Sequence, residues 1–342
     1  MLDLFKGTGL NLIMNTNYPS YLKLYRSGEL ADRLFQLEQR LKACTICPHR
    51  CGNNRYEQAK GICRSGDQPY VSSICDHHGE EPVLSGRYGS GTVFFGSCNL
   101  SCAYCQNYQI SQDVAYFSSC LMDCKTLARR IVDLQNRFQV HNINFVSPTH
   151  FVPQMVRAIY EAIPLGLNVP IVYNSNGYDA VETLRLLDGI IDIYLPDFKY
   201  ADDSAALKYS RAKNYSHHAL AAIKEMHRQV GDLEVDSSGI ARRGVLVRHL
   251  VLPNDLAHSE QILKWLAEEV SPDLAISLMA QYHPSHLARF EPLLMRPVTY
   301  REYQRVLEVM DKLNLKRGFS QQLDAPEYYL PDFYRQDHPF ES

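Results

Sequence analysis

The sequence predicts an α/β protein built on a parallel sheet covered by helices. Six short runs, apolar and rich in β-branched and aromatic residues, recur at Thr92–Phe95, Asn144–Val146, Ile171–Tyr173, Ile191–Leu195, Val245–Val251 and Leu274–Met279. Longer helical stretches separate them, and such alternation means parallel strands joined by crossovers. The stretches carry boundary signals: Pro153 in a first turn, Asp179 with Glu182 as a capping box, Ser216 and Ser259 as N-caps, and Gly231 as a stop. Six units are too few for a closed eight-fold barrel.

Ahead of the sheet, Tyr18 to Ala43 reads as one helix, with Leu30, Leu34, Leu37 and Leu41 on one apolar face. Cys44, Cys47, Cys51 and Cys63 follow, four thiols in twenty residues beginning C-x2-C. Gly52, Gly61 and Gly66 suit tight turns, and nothing else nearby could form a core, so a metal staple is expected. Zinc and an auxiliary iron–sulfur cluster both fit this spacing. Val71 to Tyr88 carries the polar run His77-His78-Gly79-Glu80-Glu81-Pro82, read equally as lining a site or as a turn into the sheet. Past the last strand, Thr299 and Glu302 form a capping box for a helix to about Leu313. The tail from Gln321, with Pro326, Pro331 and Pro339, is expected to wrap the sheet. The expected divisions are 1–87, 88–290 and 291–342.

Composition excludes several classes. The 342 residues, 45% hydrophobic and 21% charged, can bury a large core in one or two domains. A net charge of −3 gives no basic field to draw the chain to nucleic acid or an acidic membrane. No apolar run approaches the roughly 20 residues of a membrane span. Met1 to Asn17 has no cleavage pattern of a signal peptide. Ten cysteines without an export signal argue for metal or catalysis in a reducing cytoplasm rather than for disulfides. Cys75, Cys120 and Cys124 have no spacing partner and read as ordinary thiols.

In parallel α/β sheets, ligand-binding groups gather where the strands end. The first strand ends in Cys98, Cys102 and Cys105, on a loop opened by Gly96. The second ends in Ser147-Pro148-Thr149-His150, the third in Asn174-Ser175-Asn176-Gly177 and the fourth in Asp197-Phe198-Lys199. Arg248 and His249 lie in the fifth, and Tyr282-His283 close the sixth. His249, inside a strand, reads as a satisfied core residue. Three thiols at such density suit a soft metal, but they fall one short of the four ligands of structural zinc.

The C-x3-C-x2-C spacing, with Tyr104 before the third cysteine, resembles the signature of the radical S-adenosylmethionine (SAM) superfamily. The resemblance implies a partial barrel of six β/α units over roughly residues 88–290. It also implies a 4Fe-4S cluster on Cys98, Cys102 and Cys105, whose open iron chelates SAM. Reductive cleavage of SAM then supplies a 5′-deoxyadenosyl radical that abstracts hydrogen. Within the superfamily, the pattern is similar to the glycyl-radical activating enzymes, the group of the pyruvate formate-lyase activating enzyme. Asp197-Phe198-Lys199, Val247 to Pro253, Tyr282-His283 and Cys105-Gln106-Asn107 carry this likeness. It implies SAM contacts from Asp197, Lys199, Arg248 and the Asn174–Asn176 loop, with Arg248 on the carboxylate and His283 near the adenosine. A glycine Cα of a partner protein would be the substrate, and flavodoxin or ferredoxin the electron donor. The Gly-Glu-Glu-Pro run looks like the family's glycine–glutamate motif but precedes the cluster loop instead of following the second strand. That run, the four-cysteine stretch and Pro331-Asp332-Phe333 resemble a less-defined branch of the group. Ser147, Thr149 or the Asn174–Asn176 loop could then make the amino-group contact. Two alternatives stand beside this reading: radical modification of a peptide, RNA or small metabolite, and a non-catalytic metal-binding scaffold.

Overall fold

The computed structural model describes residues 2–3, 18–322, 331–335 and 338–340. Its strands are β1 (Leu2–Asp3), β2 (Val71–His77), β3 (Ser90–Phe95), β4 (Ile143–Val146), β5 (Ile171–Ser175), β6 (Ile193–Pro196), β7 (Glu234–Val235), β8 (Ala241–Leu250), β9 (Ala275–Met279) and β10 (Gly318–Ser320). They form one sheet in the order β1-β10-β9-β8-β6-β5-β4-β3-β2, with β7 beside β8. All pairings from β3 through β10 along this path are parallel. The outermost strands, β2 and β1, pair antiparallel with β3 and β10. All six expected strands are present. The sheet also runs past both expected divisions, since β2 precedes residue 88 and β10 follows residue 290. The expectations for Pro326, and for Met1 to Asn17 apart from Leu2–Asp3, lie outside the described residues.

Local chemistry moved several boundaries. The expected single helix over Tyr18–Ala43 is two, Tyr21–Ser27 and Glu29–Gln39, because Gly28 takes a left-handed φ of 84°. The leucine stripe is still buried, at about 1.5–3 kcal/mol per side chain. Asp179 caps no helix; it accepts hydrogen bonds from Tyr173 Oη (2.7 Å) and Ser175 Oγ (2.6 Å). Asn214, rather than Ser216, precedes helix Tyr215–Val230. Ser259 is a first helical residue, and its hydroxyl meets His249 Nε2 at 2.9 Å. Pro153, Gly231 and the Thr299–Glu302 capping box stand as expected.

The period of two along each strand divides the core. Ile171, Tyr173, Tyr194, Val245, Val247, Ile276 and Leu278 pack outward against the helices. Val172, Ile193, Leu195, Leu246, Ala275 and Phe319 point the other way, into the curve of the sheet. There Val83 and Leu84, on the short helix Pro82–Ser85, join them and plug one end of the barrel. The Gly-Glu-Glu-Pro run is the strap that brings this plug in. Among the described residues, no helix is long and apolar enough to cross a membrane.

His249 is a core residue, with Nδ1 on Phe198 O at 2.7 Å. Burial pushes its pKa down to about 4, and burial likewise pushes His150 down to about 3. The unfolded chain protonates both near 6.5, so their contribution to stability is complete above that pH and declines as the pH falls towards the folded values. Acidification from pH 7 to pH 5 is expected to cost about 2 kcal/mol per histidine. Urea unfolding at the two pH values measures the loss, and His249→Gln should make it shallower. An unchanged slope would count against this account.

Candidate active site

The inward-facing register that builds the apolar plug continues to the strand ends and changes chemistry on the way. Val172 is followed on the same face by Asn174 and Asn176, Leu195 by Asp197, and Leu246 by Arg248. All four polar successors line one cleft. Phe94, Val146, Leu250 and Met279 complete its wall. The cleft sits at the carboxyl ends of the parallel strands, where the sheet's backbone groups run out of partners.

The loop after β3 enters this cleft because its backbone is pinned from several sides. Gly96 leaves the strand where a Cβ would stand 2.9 Å from both Tyr70 Cβ and Phe117 Cβ, so only glycine passes. Ser97 turns the chain with a φ of 63°. Ser101 N and Ala103 N donate to Ser210 O and Tyr209 O, at 3.1 and 2.7 Å. Cys98, Cys102 and Cys105 all line the cleft, and each sulfur has a polar neighbour. Leu100 N (3.3 Å) and Asn176 Nδ2 (3.4 Å) donate to Cys98, and Ser210 Oγ (3.0 Å) donates to Cys102. Cys105 meets Ser111 Oγ at 3.3 Å. Burial, then the neighbouring Cys102 sulfur, pushes Cys98 up to about 12 and Cys105 up to about 11. The bare thiols therefore stay protonated at neutral pH, and bound metal cations would hold them as thiolates.

The charged groups are paired. Lys199 Nζ lies 2.5 Å from Asp197 Oδ2; burial opposes its charge, but Asp197 and then Cys102 hold its pKa above the usual lysine value. Arg248 donates through Nε and Nη2 to Glu81 at 2.8 and 2.6 Å, and through Nη2 to Glu80. Burial would raise the Glu81 pKa, but Arg248 outweighs it and leaves the carboxyl below its usual value. Glu80 Oε1 accepts from Asn144 Nδ2 at 2.8 Å. Gly177, with a φ of 77°, allows the Asn174–Asn176 turn to press on β6; a Cβ there would fall 2.1 Å from Asp197 O. Tyr215 Oη ties the two elements, donating to Asn176 O (2.8 Å) and accepting from Lys199 N (3.0 Å).

Cys98, Cys102, Cys105, Asn174, Asn176, Asp197, Lys199 and Arg248 thus share one cleft. His283 does not line it; its Nδ1 meets Ser285 Oγ at 3.2 Å. Arg248, expected as a cation for a ligand carboxylate, is already neutralised by two glutamates. Glu80 and Glu81 line the cleft while Pro82 leads into the plug helix, so the Gly-Glu-Glu-Pro run answers to both of its readings. Tyr215, Gln281, Gln321 and Phe340 had no sequence signal, because their approach depends on how distant segments pack. Cys44, Cys47, Cys51 and Cys63 line a separate small cavity on the far side of Asn99.

The family model for the radical SAM superfamily matches residues 92–266, the stretch that contains the cysteine loop and most of the strand ends just described. The chain belongs to the radical SAM superfamily. It is also 34% identical over 296 residues to an uncharacterized protein, MJ0674, of Methanocaldococcus jannaschii, covering 84% of this chain and 78% of that one. The superfamily implies a 4Fe-4S cluster and SAM. The residues present fit both groups. Among the described residues three thiols and no fourth cysteine line this cleft, each sulfur has a polar neighbour, and beside them stand three carboxylates, Glu80, Glu81 and Asp197, against two cations, Lys199 and Arg248. That excess of negative charge complements SAM, which carries an ammonium, a sulfonium and one carboxylate.

Proposed function

We propose that this radical SAM enzyme removes a hydrogen atom from a glycine Cα of a partner protein, as the glycyl-radical activating enzymes do. The observation that carries the chemistry is the meeting of Cys98, Cys102 and Cys105 with Asn174, Asn176, Asp197 and Lys199 in one cleft. Bound there, the cluster and SAM supply reductive sulfonium cleavage and a carbon radical that abstracts hydrogen. The chain's own residues do the rest. Cys98, Cys102 and Cys105 hold the cluster, with Ser210 and Asn176 donating to the sulfurs. Asp197, Lys199 and the Asn174–Asn176 turn orient SAM, and Tyr215 fixes the turn against the Lys199 backbone. Pro331 and Phe340 form part of the cleft wall and help exclude water. A one-electron carrier of the flavodoxin or ferredoxin type serves as reductant. Support for the glycine substrate comes from the likeness of Asp197-Phe198-Lys199 and Val247 to Pro253 to the activating enzymes; His283, outside the cleft, adds nothing to it. The buried Glu80–Arg248–Glu81 group favours a second reading, a small polar metabolite seated at the charged end of the cleft.

Anaerobic reconstitution with iron and sulfide, followed by reduction with SAM, tests the chemistry. We expect 5′-deoxyadenosine, formed faster with the substrate present, and a glycyl radical signal by EPR when a partner protein is supplied. No 5′-deoxyadenosine from fully loaded protein would overturn the reading. Product without any glycyl radical, but stimulated by a metabolite, would move it to the second.

A further inference from the structure

We propose that the outer face of the cysteine loop is the docking surface for the one-electron carrier that reduces the enzyme, and that this carrier presents an acidic face. The inference rests on the radical SAM reading, which calls for an electron from outside. The loop's backbone is held between two segments. Ala103, between Cys102 and Cys105, donates from N to Tyr209 O (2.7 Å) and accepts at O from Ala288 N (2.9 Å). Lys208 Nζ meets Glu291 Oε2 at 3.6 Å across the seam, so the helix Asp203–Ser210 and the 3-10 turn His286–Phe290 form one surface behind the loop. The cover there is thin. Ser210 Oγ donates to the Cys102 sulfur at 3.0 Å, and Arg211, the next residue, is exposed. Electron transfer between proteins weakens steeply with distance, so a donor belongs where a ligand sulfur lies one residue below the surface.

The chemistry of this surface suits a charged protein partner. Leu207, Leu287 and Phe290 are exposed on the two facing segments, Phe290 at 80%, which leaves apolar area for a partner to cover. Cations accompany them. From Leu207 to Asn214 the chain carries Lys208, Arg211 and Lys213 and no acid, and from Gln281 to Met295 it carries Arg289 and one acid, Glu291. Lys208, Arg211, Lys213 and Arg289 are all exposed, in a chain whose net charge is −3. A local field opposite in sign to that of the whole chain steers an acidic partner to this patch rather than to the rest of the surface. Electron-transfer encounters need only small interfaces of this kind. A substrate is the wrong occupant. It must enter the cleft to lose its hydrogen, and none of Leu207, Lys208, Arg211, Leu287, Arg289 and Phe290 lines the cleft. An electron needs only nearness to the sulfurs. It leaves the carrier, which is oxidised, for the iron that Cys98, Cys102 and Cys105 hold, which is reduced, and no bond forms or breaks.

The test compares the full chain, reconstituted with iron and sulfide, with its Lys208→Glu/Arg211→Glu/Arg289→Glu variant. Binding of an oxidised acidic flavodoxin and of an oxidised acidic ferredoxin is titrated at low and at high salt. Formation of 5′-deoxyadenosine is followed with each reduced carrier and with dithionite, which needs no docking surface. At low salt the variant should bind the carrier about tenfold more weakly and show a matching rise in KM for it, while the dithionite-driven rate stays within about twofold of wild type. The milder Lys208→Gln/Arg211→Gln/Arg289→Gln variant should lose affinity in the same direction, and it decides if the first does not fold. Phe290→Ser should weaken binding equally at both salt concentrations. Wild type that binds neither carrier overturns the proposal, and so do charge variants that bind as wild type does. An equal loss with dithionite overturns it too, by tracing the effect to the cleft instead of the surface. Tighter binding of single-stranded RNA, lost in the same variants, overturns it in favour of a nucleic-acid surface. No product with dithionite would overturn the radical SAM reading, while the titration, which needs no turnover, still decides the docking surface.

Discussion

Replacement of Cys98, Cys102 and Cys105 together by alanine is expected to reduce 5′-deoxyadenosine formation to the level of reductant and SAM alone. The reason is chemical and local. Each thiol lines the same cleft, and each has a polar neighbour. No other cysteine lines that cleft to replace them. Loss of three half-buried sulfurs also removes packing from the cleft wall, at about 1 kcal/mol each or less, so thermal unfolding of the variant must be measured beside its activity. A folded variant that still made 5′-deoxyadenosine at the wild-type rate would remove the basis for the assignment. Ser210→Ala offers a finer control: it takes away one donor to Cys102 and should shift the cluster's reduction potential without abolishing cleavage.

The second large effect is on stability. Arg248→Ala should destabilise the protein by about 3–5 kcal/mol at pH 7, because it strands two largely buried carboxylates in the cleft wall. Glu81 is 2% exposed and Glu80 7%. With Arg248 present, the Glu81 pKa lies below its usual value, so its contribution to stability is present above the unfolded pKa and is lost as the pH falls through the folded one. Without Arg248 the largest influence opposing burial is gone, only the Ser277 hydroxyl and the Glu81 backbone remain against it, and the carboxyl takes up its proton at higher pH. The gap between variant and wild type should therefore be widest near neutrality and narrow below about pH 4.5. Urea titrations at pH 7 and pH 4 measure it. A gap independent of pH would mean that lost packing, rather than stranded charge, explains the cost. Glu80→Gln with Glu81→Gln in the Arg248→Ala background should recover part of the loss.

The cysteine loop was legible because spacing alone states its chemistry: three thiols within eight residues have few uses other than metal binding. The Asn174, Asp197 and Arg248 positions were legible for a different reason. Each lies at or just past the carboxyl end of an apolar strand, where ligand-binding groups gather. His283 shows the limit of that argument. Past the end of β9 the chain no longer alternates, and Ser285 takes its ring away from the cleft. The Asp179–Glu182 pattern failed similarly: a buried aspartate close to Tyr173 and Ser175 found hydroxyl partners before it found a helix end.

Periodicity, glycine positions and cysteine spacing were enough to settle six parallel strands, their helical crossovers and the place of the cysteine loop after the first of them, since these depend on residues close in the chain. The role of Glu80 and Glu81 waited on the fold. Their partner Arg248 is more than 160 residues away, and only the curving of the sheet around the Pro82–Ser85 plug brings the three together. The same holds for Phe340, which reaches the cleft from the far end of the chain. Contacts of this kind leave no trace in local spacing, because what selects them is the shared loss of water at a buried surface.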